Sequence, residues 1–582
     1  LKSLLGWVSR WTPSQRKTTD MPTPKSIKDF AREYRNTGLT SSNSDSQPFG
    51  QIFLNNVSTF ISTSPEIQDP AILERLAKTL HQATSGKTIS IRVLPAEAGE
   101  PSKNAPPLNS LPFNNFAFDD RLQTIADGVF RLFIKVNGLP GERKFLSALL
   151  GHCARHFASV LVHVCPEAGR GPVAECVRRA KHAYALIRQN DDSFGLFREY
   201  NSWLKELGKA RRFHPKPVLC LGAHELPQTQ EDVHALIGTT IHLYLRDCPI
   251  AHVNNREYTG SFDFDLRRWA REIGACRIGL ALSSGGAKGF AYVGVIQVLE
   301  EAGIEVDMIA GCSMGAYIGA LWAAGHDSNY IHERALDLQG RWKLWKILDP
   351  VFPPRRGFIG GKKIKKMLMK SIGESQFCDM LRPLKVIAAN LHTLEKKTFD
   401  SGEVASAVQA SIAIPGVVVP VKIDGETYTD GGIVDPLPVD TLREAGIEKI
   451  IAVNTVPTTQ LLKQARERER IARARLNKRP WWKRLFHRQF NYFAPGNILD
   501  IIQQSFIGSQ IPNAEEACRH ADVVLRPINY DGAWHDFNKP RKYIALGRRV
   551  TLEHLDELKA LTKPTENRHE YETPANALAS VA

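Results

Sequence analysis

RIGLALSSGGAKGFAYVGVIQVLEEAGIEVDMIAGCSMG occupies residues 277–315. It reads as strand, glycine-rich loop, helix, strand and sharp turn. Arg277 to Leu282 is a short apolar run ended by a turn signal, which predicts a buried strand. Ser283-Ser284-Gly285-Gly286-Ala287-Lys288-Gly289 cannot continue it, because clustered glycines break regular structure. Phe290 to Ala302 predicts a helix, Ile304 to Ala310 a second strand, and another helix starts after Gly315. Pro383 to Leu391 and Lys449 to Asn454 predict further strands. Alternation of this density implies an α/β fold, with a mainly parallel sheet covered by helices on both faces.

Three motifs in this region carry chemistry. Gly311-Cys312-Ser313-Met314-Gly315 fits G-x-S-x-G where a strand ends and a helix begins. Such a turn lifts a serine hydroxyl out of the sheet. The helix it opens aims N–H groups at the site, which favours negative charge. The loop at Gly285, Gly286, Lys288 and Gly289 offers unshielded backbone N–H groups of the kind an oxyanion needs. Asp430-Gly431-Gly432 follows a hairpin that turns at Asp424-Gly425, so Asp424 reads as structural and Asp430 closes the second strand.

A nucleophilic serine needs a base, and the residues leave alternatives open. Asp430 could take the proton directly if burial raises its pKa. In the ordinary hydrolase order Ser, Asp, His, a histidine would follow Asp430, and His487, His520, His535 and His554 qualify by position. His326, His332 and His392 sit in no motif that presents them to Ser313. A third reading makes the chain a nucleotide-binding regulatory protein that uses the glycine loop for phosphate. That fingerprint wants G-x-G-x-x-G, and Ser284 stands at its first glycine position.

Outward from this segment, Val129 to Val136, Ser159 to Val164, Ala183 to Ile187 and Pro217 to Leu221 predict strands with helices between, a small parallel α/β unit. Its His152, Cys153, His156 and His163 read as ordinary helix and strand residues, because no carboxylate completes a metal set. Leu73 to Leu80 predicts a helix and Thr88 to Leu94 a strand. Residues 96–117 read as a linker, and Leu1 to Trp11 as a loosely ordered arm. The expected organisation is a poorly defined N-terminal region with linker (1–120), a small α/β accessory domain (121–270) and a catalytic domain (277–457). A basic, aromatic and helical C-terminal region (458–563), with a short strand at Asp522 to Arg526, and a flexible tail (564–582) follow.

The chain has 582 residues, 43% hydrophobic and 24% charged, which excludes wholesale disorder and coiled coil. Lys and Arg outnumber Asp and Glu by 76 to 61, a formal +15, which points to an anionic partner. Residues 463–493 concentrate it: Lys463, Arg466, Arg470 and Arg484 are among its cations, and Trp481, Trp482 and Phe486 sit in its second half. Cations interleaved with aromatics suit an anionic membrane surface. No nucleic-acid-binding module accompanies the charge, so nucleic acid is an unlikely partner. Nine scattered cysteines without a C-x-x-C pair indicate free thiols in a reducing compartment. The sequence opens at Leu1 and carries no information on a targeting segment.

The glycine loop, G-x-S-x-G about 25 residues later and then Asp-Gly-Gly resemble the patatin-like phospholipase family over Ile278 to Leu442. Ala410-Ser411-Ile412-Ala413-Ile414-Pro415-Gly416 resembles the family's block ahead of its aspartate. The flank at 121–270 resembles weakly the bacterial and neuropathy-target-esterase branch. Residues 1–120 show no cyclic-nucleotide-binding pattern. The resemblance implies a patatin-like three-layer catalytic domain and a Ser–Asp dyad, with Ser313 as nucleophile and Asp430 as base. It implies an oxyanion hole at Gly285 and Gly286 with Lys288 as the basic residue of that loop, and no metal or cofactor. Ser284 stands where the family usually has glycine, which questions one oxyanion donor. The implied substrate is a phospholipid or lysophospholipid, met in the cytoplasm or at the inner membrane surface.

Overall fold

Two largely parallel sheets organise the chain in the computed structural model, which describes residues 54–64, 70–95, 121–136, 142–207, 214–223, 225–248, 260–337, 349–353, 355–461, 463, 498–528 and 536–563. Leu1 to Trp11, the linker at 96–117, nearly all of the basic run at 463–493 and the tail from 564 lie outside the described residues.

The first sheet holds β1 (Leu54–Ser62), β2 (Thr88–Pro95), β3 (Gln123–Ala126), β4 (Val129–Val136), β5 (Ser159–Val164), β6 (Ala180–Arg188), β7 (Lys216–Cys220) and β8 (Leu243–Leu245). Their order is β3-β4-β2-β5-β1-β6-β7-β8. Only the β3–β4 pair is antiparallel. This differs from an accessory unit that begins at residue 121, because β1 and β2 are interior strands of the same sheet. Leu-Asn-Asn-Val-Ser-Thr-Phe-Ile-Ser, the sequence of β1, is half polar and escapes a reading by hydrophobicity. Its hydroxyls are used: Thr59 Oγ1 donates to the Cys176 carbonyl at 3.0 Å, and Ser62 Oγ meets His163 Nε2 at 2.7 Å.

The second sheet holds β9 (Ile278–Leu282), β10 (Met308–Cys312), β11 (Leu384–Asn390), β12 (Lys396–Phe399), β13 (Val421–Ile423), β14 (Glu426–Asp430), β15 (Lys449–Val453) and β16 (Val523–Leu525). The order is β13-β14-β11-β10-β9-β15-β16, with β12 also on β11. From β11 to β16 the neighbours run parallel, and β12, β13 and β14 form an antiparallel edge. Residues 304–307 are not strand, so β10 starts at Met308, later than the apolar pattern suggests. Asp424 (φ 50°) and Gly425 (φ 86°) make the turn between β13 and β14.

Alternation along the strands builds three layers. Ile278, Leu280 and Leu282 point to a core shared with the helices Ala291–Glu301 and Met314–Ala323. Ala281, Ala310 and Ala452 point the other way, to the helices Val439–Glu444 and Ile498–Arg519. Met308 to Gly325, the longest apolar stretch, is therefore a buried strand and helix. Among the described residues no helix is long and apolar enough to cross a membrane.

The helix Gly260–Ile273 ties the sheets together. Phe262, Leu266 and Trp269 enter the core of the first sheet. On its other side Arg267 Nε donates to Glu305 at 2.8 Å and Arg271 Nε to Asp307 at 2.8 Å. Asp307 in turn accepts the Ile278 N–H at 2.8 Å, so the clamp reaches the start of β9.

Candidate active site

Ser313 follows the last residue of β10, and its backbone stands at φ 56° and ψ −120°. Side-chain-bearing residues rarely adopt that region, and such strain persists only where neighbours enforce it. The enforcing contacts are specific. Ser313 N–H donates to Ser411 Oγ at 2.8 Å, and Ser411 Oγ donates to the Ile387 carbonyl at 2.6 Å. The next helix begins as Tyr317 N–H bonds the Ser313 carbonyl. Gly311 and Gly315 permit the close crossing: a Cβ on Gly311 would lie 2.6 Å from the Ala316 nitrogen, and one on Gly315 would collide with the Leu282 carbonyl.

Asp430 ends β14, level with Ala388 of β11, and is fully buried. Its Oδ2 accepts the Ser313 hydroxyl at 2.6 Å. Its Oδ1 accepts the Gly432 N–H at 2.8 Å and lies 3.8 Å from the Cys312 sulfur. Burial raises the carboxyl from 3.8 to about 6, against the lowering effect of the three hydrogen bonds. The elbow and the Asp-Gly-Gly turn, 117 residues apart in sequence, thus meet at one point.

The glycine loop follows β9 and is fixed from below. Ser283 Oγ accepts the Thr455 N–H at 2.9 Å and meets Tyr292 Oη at 2.9 Å, while Tyr292 Oη meets Thr455 Oγ1 at 2.8 Å. Gly286 stands at φ 54°. Among the described residues no acceptor meets the N–H of Gly285 or Gly286. Ser284 N–H is engaged by the Pro436 carbonyl at 2.8 Å, so it is not a free donor, and its hydroxyl lies 3.4 Å from Gln510 Nε2.

A small cleft joins these parts, lined by Ser284, Gly285, Gly286, Lys288, Ser313, Ile414, Thr455, Val456, Pro457, Phe506, Ile507 and Gln510. It is mixed in character, with apolar walls and a few polar groups converging on Ser313. Lys288 is half-buried there, and burial alone lowers its ammonium to about 8. No carboxylate pairs with it among the described residues. Gly289 packs against Met314, so the loop and the elbow touch. Gly431 and Gly432 form the turn beneath Asp430: a Cβ on Gly431 would collide with the Ile387 carbonyl, and one on Gly432 would lie 3.0 Å from Phe506.

The histidines stand elsewhere. His326 Nε2 lies 2.8 Å from the Ser371 carbonyl, His332 meets Gln297, and His392 is exposed. His520 pairs with Asp440 at 2.8 Å, and His554 meets the Val550 carbonyl at 3.0 Å. Among the described residues no histidine bonds Ser313 or Asp430, which removes His520 and His554 as bases. His487 and His535 lie outside the described residues.

Ser411, Gln510 and Phe506 carry weight here that sequence reasoning did not assign. Ser411 belonged to a recognised block without a role, and nothing in the helix Ile498–Arg519 marks Gln510. Ser411→Ala leaves the Ser313 N–H and the Ile387 carbonyl buried without their partner. The expected stability loss is roughly 1–3 kcal/mol. Thermal unfolding of the purified variant checks it, and an unchanged melting temperature contradicts the bracing role.

Residues 280–443 match the family described as patatin-like phospholipase. The lysophospholipase nte1 of Aspergillus fumigatus is 35% identical over 194 residues, 33% of this chain and 13% of that protein. An uncharacterised NTE family protein of Mycobacterium bovis is 38% identical over 178 residues, 31% of this chain and 49% of that protein. The chain thus spans a small part of the first relative and about half of the second. Among solved structures, VipD of Legionella pneumophila is similar at 17% identity and a TM-score of 0.28, covering 48% of this chain and 67% of that one.

Proposed function

We propose that the protein is a serine hydrolase of lipid carboxylic esters working through a Ser313–Asp430 dyad, with residues 280–443, which match the patatin-like phospholipase family, at its centre. The observation that carries the reading is the 2.6 Å contact between a strained serine hydroxyl and a fully buried carboxylate. A carboxylate with a pKa of about 6 is mostly ionised near neutrality yet a stronger base than a solvated one.

Asp430 takes the Ser313 proton as Oγ attacks the ester carbonyl. The N–H groups of Gly285 and Gly286 receive the oxyanion, a role in which one lost donor typically costs about 2.7–4 kcal/mol. Asp430 then returns the proton to the departing alcohol, leaving acyl-Ser313. Water, deprotonated by Asp430, attacks the acyl carbonyl and releases a fatty acid and Ser313. Ile414, Val456, Phe506 and Ile507 offer an apolar wall for an acyl chain. Lys288, half-buried and without a carboxylate partner among the described residues, favours a substrate that carries negative charge, as a phospholipid or lysophospholipid does. The proposed site of action is the cytoplasm or the inner membrane surface, a reducing setting that nine scattered cysteines without a C-x-x-C pair suit. A nucleotide-binding role for the loop leaves the Ser313–Asp430 contact without a use.

Product analysis tests the reaction. Incubated with phosphatidylcholine and lysophosphatidylcholine, the protein is expected to release free fatty acid and the matching deacylated glycerophosphocholine. Mass spectrometry that finds phosphocholine or diacylglycerol instead overturns it, since those products require cleavage at phosphorus.

A further inference from the structure

The segment before the helix Lys362–Ile372 has no part in the chemistry, yet it is built onto the cleft wall. It folds as a hairpin, closed by Val351 N–H on the Phe358 carbonyl at 2.9 Å and Gly360 N–H on the Asp349 carbonyl at 2.9 Å. The Asp349 carboxylate accepts the N–H groups of Gly361 and Lys362 at 2.9 and 3.0 Å, so the hairpin also caps the helix. Its returning arm is held by Phe358 and Ile359, whose N–H groups donate to the Val417 carbonyl at 2.9 and 3.0 Å. Ile359 packs in one cluster with Ala413, Val417 and Val418, and Ile414 of the same cluster lines the cleft beside Ser313.

The tip of this anchored hairpin is apolar and bare. Phe352 is 95% exposed and Val351 36%. Val351, Phe352 and Pro353 are exposed in succession, so the tip presents a short contiguous apolar surface rather than one isolated side chain. Beside the tip stand Arg355 and Arg356, both exposed. The helix continues the charge: Leu368 and Ile372 face the core, while Lys362, Lys366 and Lys370, each four residues on, form one exposed stripe. Lys365 alone turns inward, to Glu403 at 2.8 Å. No acidic group pairs with Lys362, Lys366, Lys370, Arg355 or Arg356 among the described residues.

We propose that Phe352 with Val351, collared by Arg355, Arg356 and the Lys362–Lys366–Lys370 stripe, is a docking surface for an anionic phospholipid bilayer. Unopposed cations attract acidic head groups, and an aromatic tip inserts at the level between head groups and acyl chains. This surface rests on the lipid-hydrolase reading for its purpose, since it sets the cleft at the interface where a lipid substrate lies. It does not rest on that reading for its physics.

The test uses the full chain with Ser313→Ala, so that vesicles are not consumed. Flotation is measured with phosphatidylcholine vesicles and with phosphatidylcholine–phosphatidylglycerol vesicles. The parent is expected to bind the mixed vesicles and to release them in high salt. Adding Phe352→Asp and Lys366→Glu is expected to weaken that binding by roughly tenfold or more. With Ser313 intact, the same two substitutions are expected to leave hydrolysis of a short, monomeric ester unchanged. Binding equal to the parent's overturns the proposal, including the case in which charge reversal within residues 463–493 abolishes it instead. Loss of monomeric ester hydrolysis in the Phe352 and Lys366 variant overturns it too, because the surface would then be part of the fold of the cleft. Absence of hydrolysis in the unsubstituted protein sinks the enzymatic reading and leaves the vesicle result standing on its own.

Discussion

Ser313→Ala is expected to lower kcat/KM for ester hydrolysis by roughly 10³-fold or more. The methyl group leaves no oxygen to carry the acyl group, so the covalent route is closed. What remains is the amide-lined loop at Gly285 and Gly286 and a water that Asp430 could still polarise, which accounts for a small residual rate. The fold is expected to survive. Alanine meets the same φ of 56° that serine does, and the Ser411 contact is made by the backbone N–H. Asp430 loses one of its hydrogen bonds in this variant, so its carboxyl is expected to move further up. Steady-state kinetics beside a thermal melt separate the two effects. A rate within a few fold of the parent's, in a folded protein, contradicts the role of Ser313.

Asp430→Asn is expected to remove activity to a similar degree while leaving the protein at least as stable. The amide can still accept from Gly432 N–H, but it cannot take the Ser313 proton. In the parent, Asp430 works ionised, so kcat/KM is expected to rise with pH through about 6 and then level. Toward about 8 the Lys288 ammonium discharges, and the rate on anionic substrates is expected to decline there. The stability sign follows from the same shift. Burial raises the folded-state pKa of Asp430 from 3.8 to about 6, so the folded protein holds the proton more tightly than the unfolded chain. Its contribution to stability is therefore full at low pH and falls as pH rises from about 4 to about 6. Asparagine escapes that loss, by at most roughly 3 kcal/mol above this window, and shows no advantage below it. Melting temperatures of parent and variant across pH 4 to 8 measure the difference. A variant that is less stable at pH 8 than at pH 4, relative to the parent, contradicts the assignment of a buried, strained charge.

Glycine-flanked turns made the site legible in advance. Ser313 directly after β10 and Asp430 at the end of β14 stand beside Gly311, Gly315 and Gly431, whose added Cβ would strike backbone, so sequence marks them even without a partner in view. Their meeting is a tertiary fact: β14 runs antiparallel on β11, and nothing local in Thr429 or Asp430 announces that register. The same holds for Ser411, whose hydroxyl is one small group in an apolar helix. Gln510 and Phe506 reach the cleft from a helix about 200 residues beyond the glycine loop. At the fold level, strands rich in apolar and β-branched residues such as β4 and β5 were readable. β1 was not, because its Asn56, Thr59 and Ser62 side chains are satisfied from outside the strand, by the Ala154, Phe157 and Cys176 carbonyls and the His163 ring. The proline- and serine-rich stretch after β2 resembles a domain boundary in composition, although the strands on either side of it share one sheet.

The central claim is that Ser313 is an activated nucleophile, and an active-site-directed fluorophosphonate asks this directly. Peptide mapping by mass spectrometry after brief treatment of the whole chain is expected to place the adduct on Ser313, with labelling lost in Asp430→Asn. Lipid hydrolysis that persists while Ser313 stays unmodified, or an adduct on another serine that abolishes activity, contradicts the account.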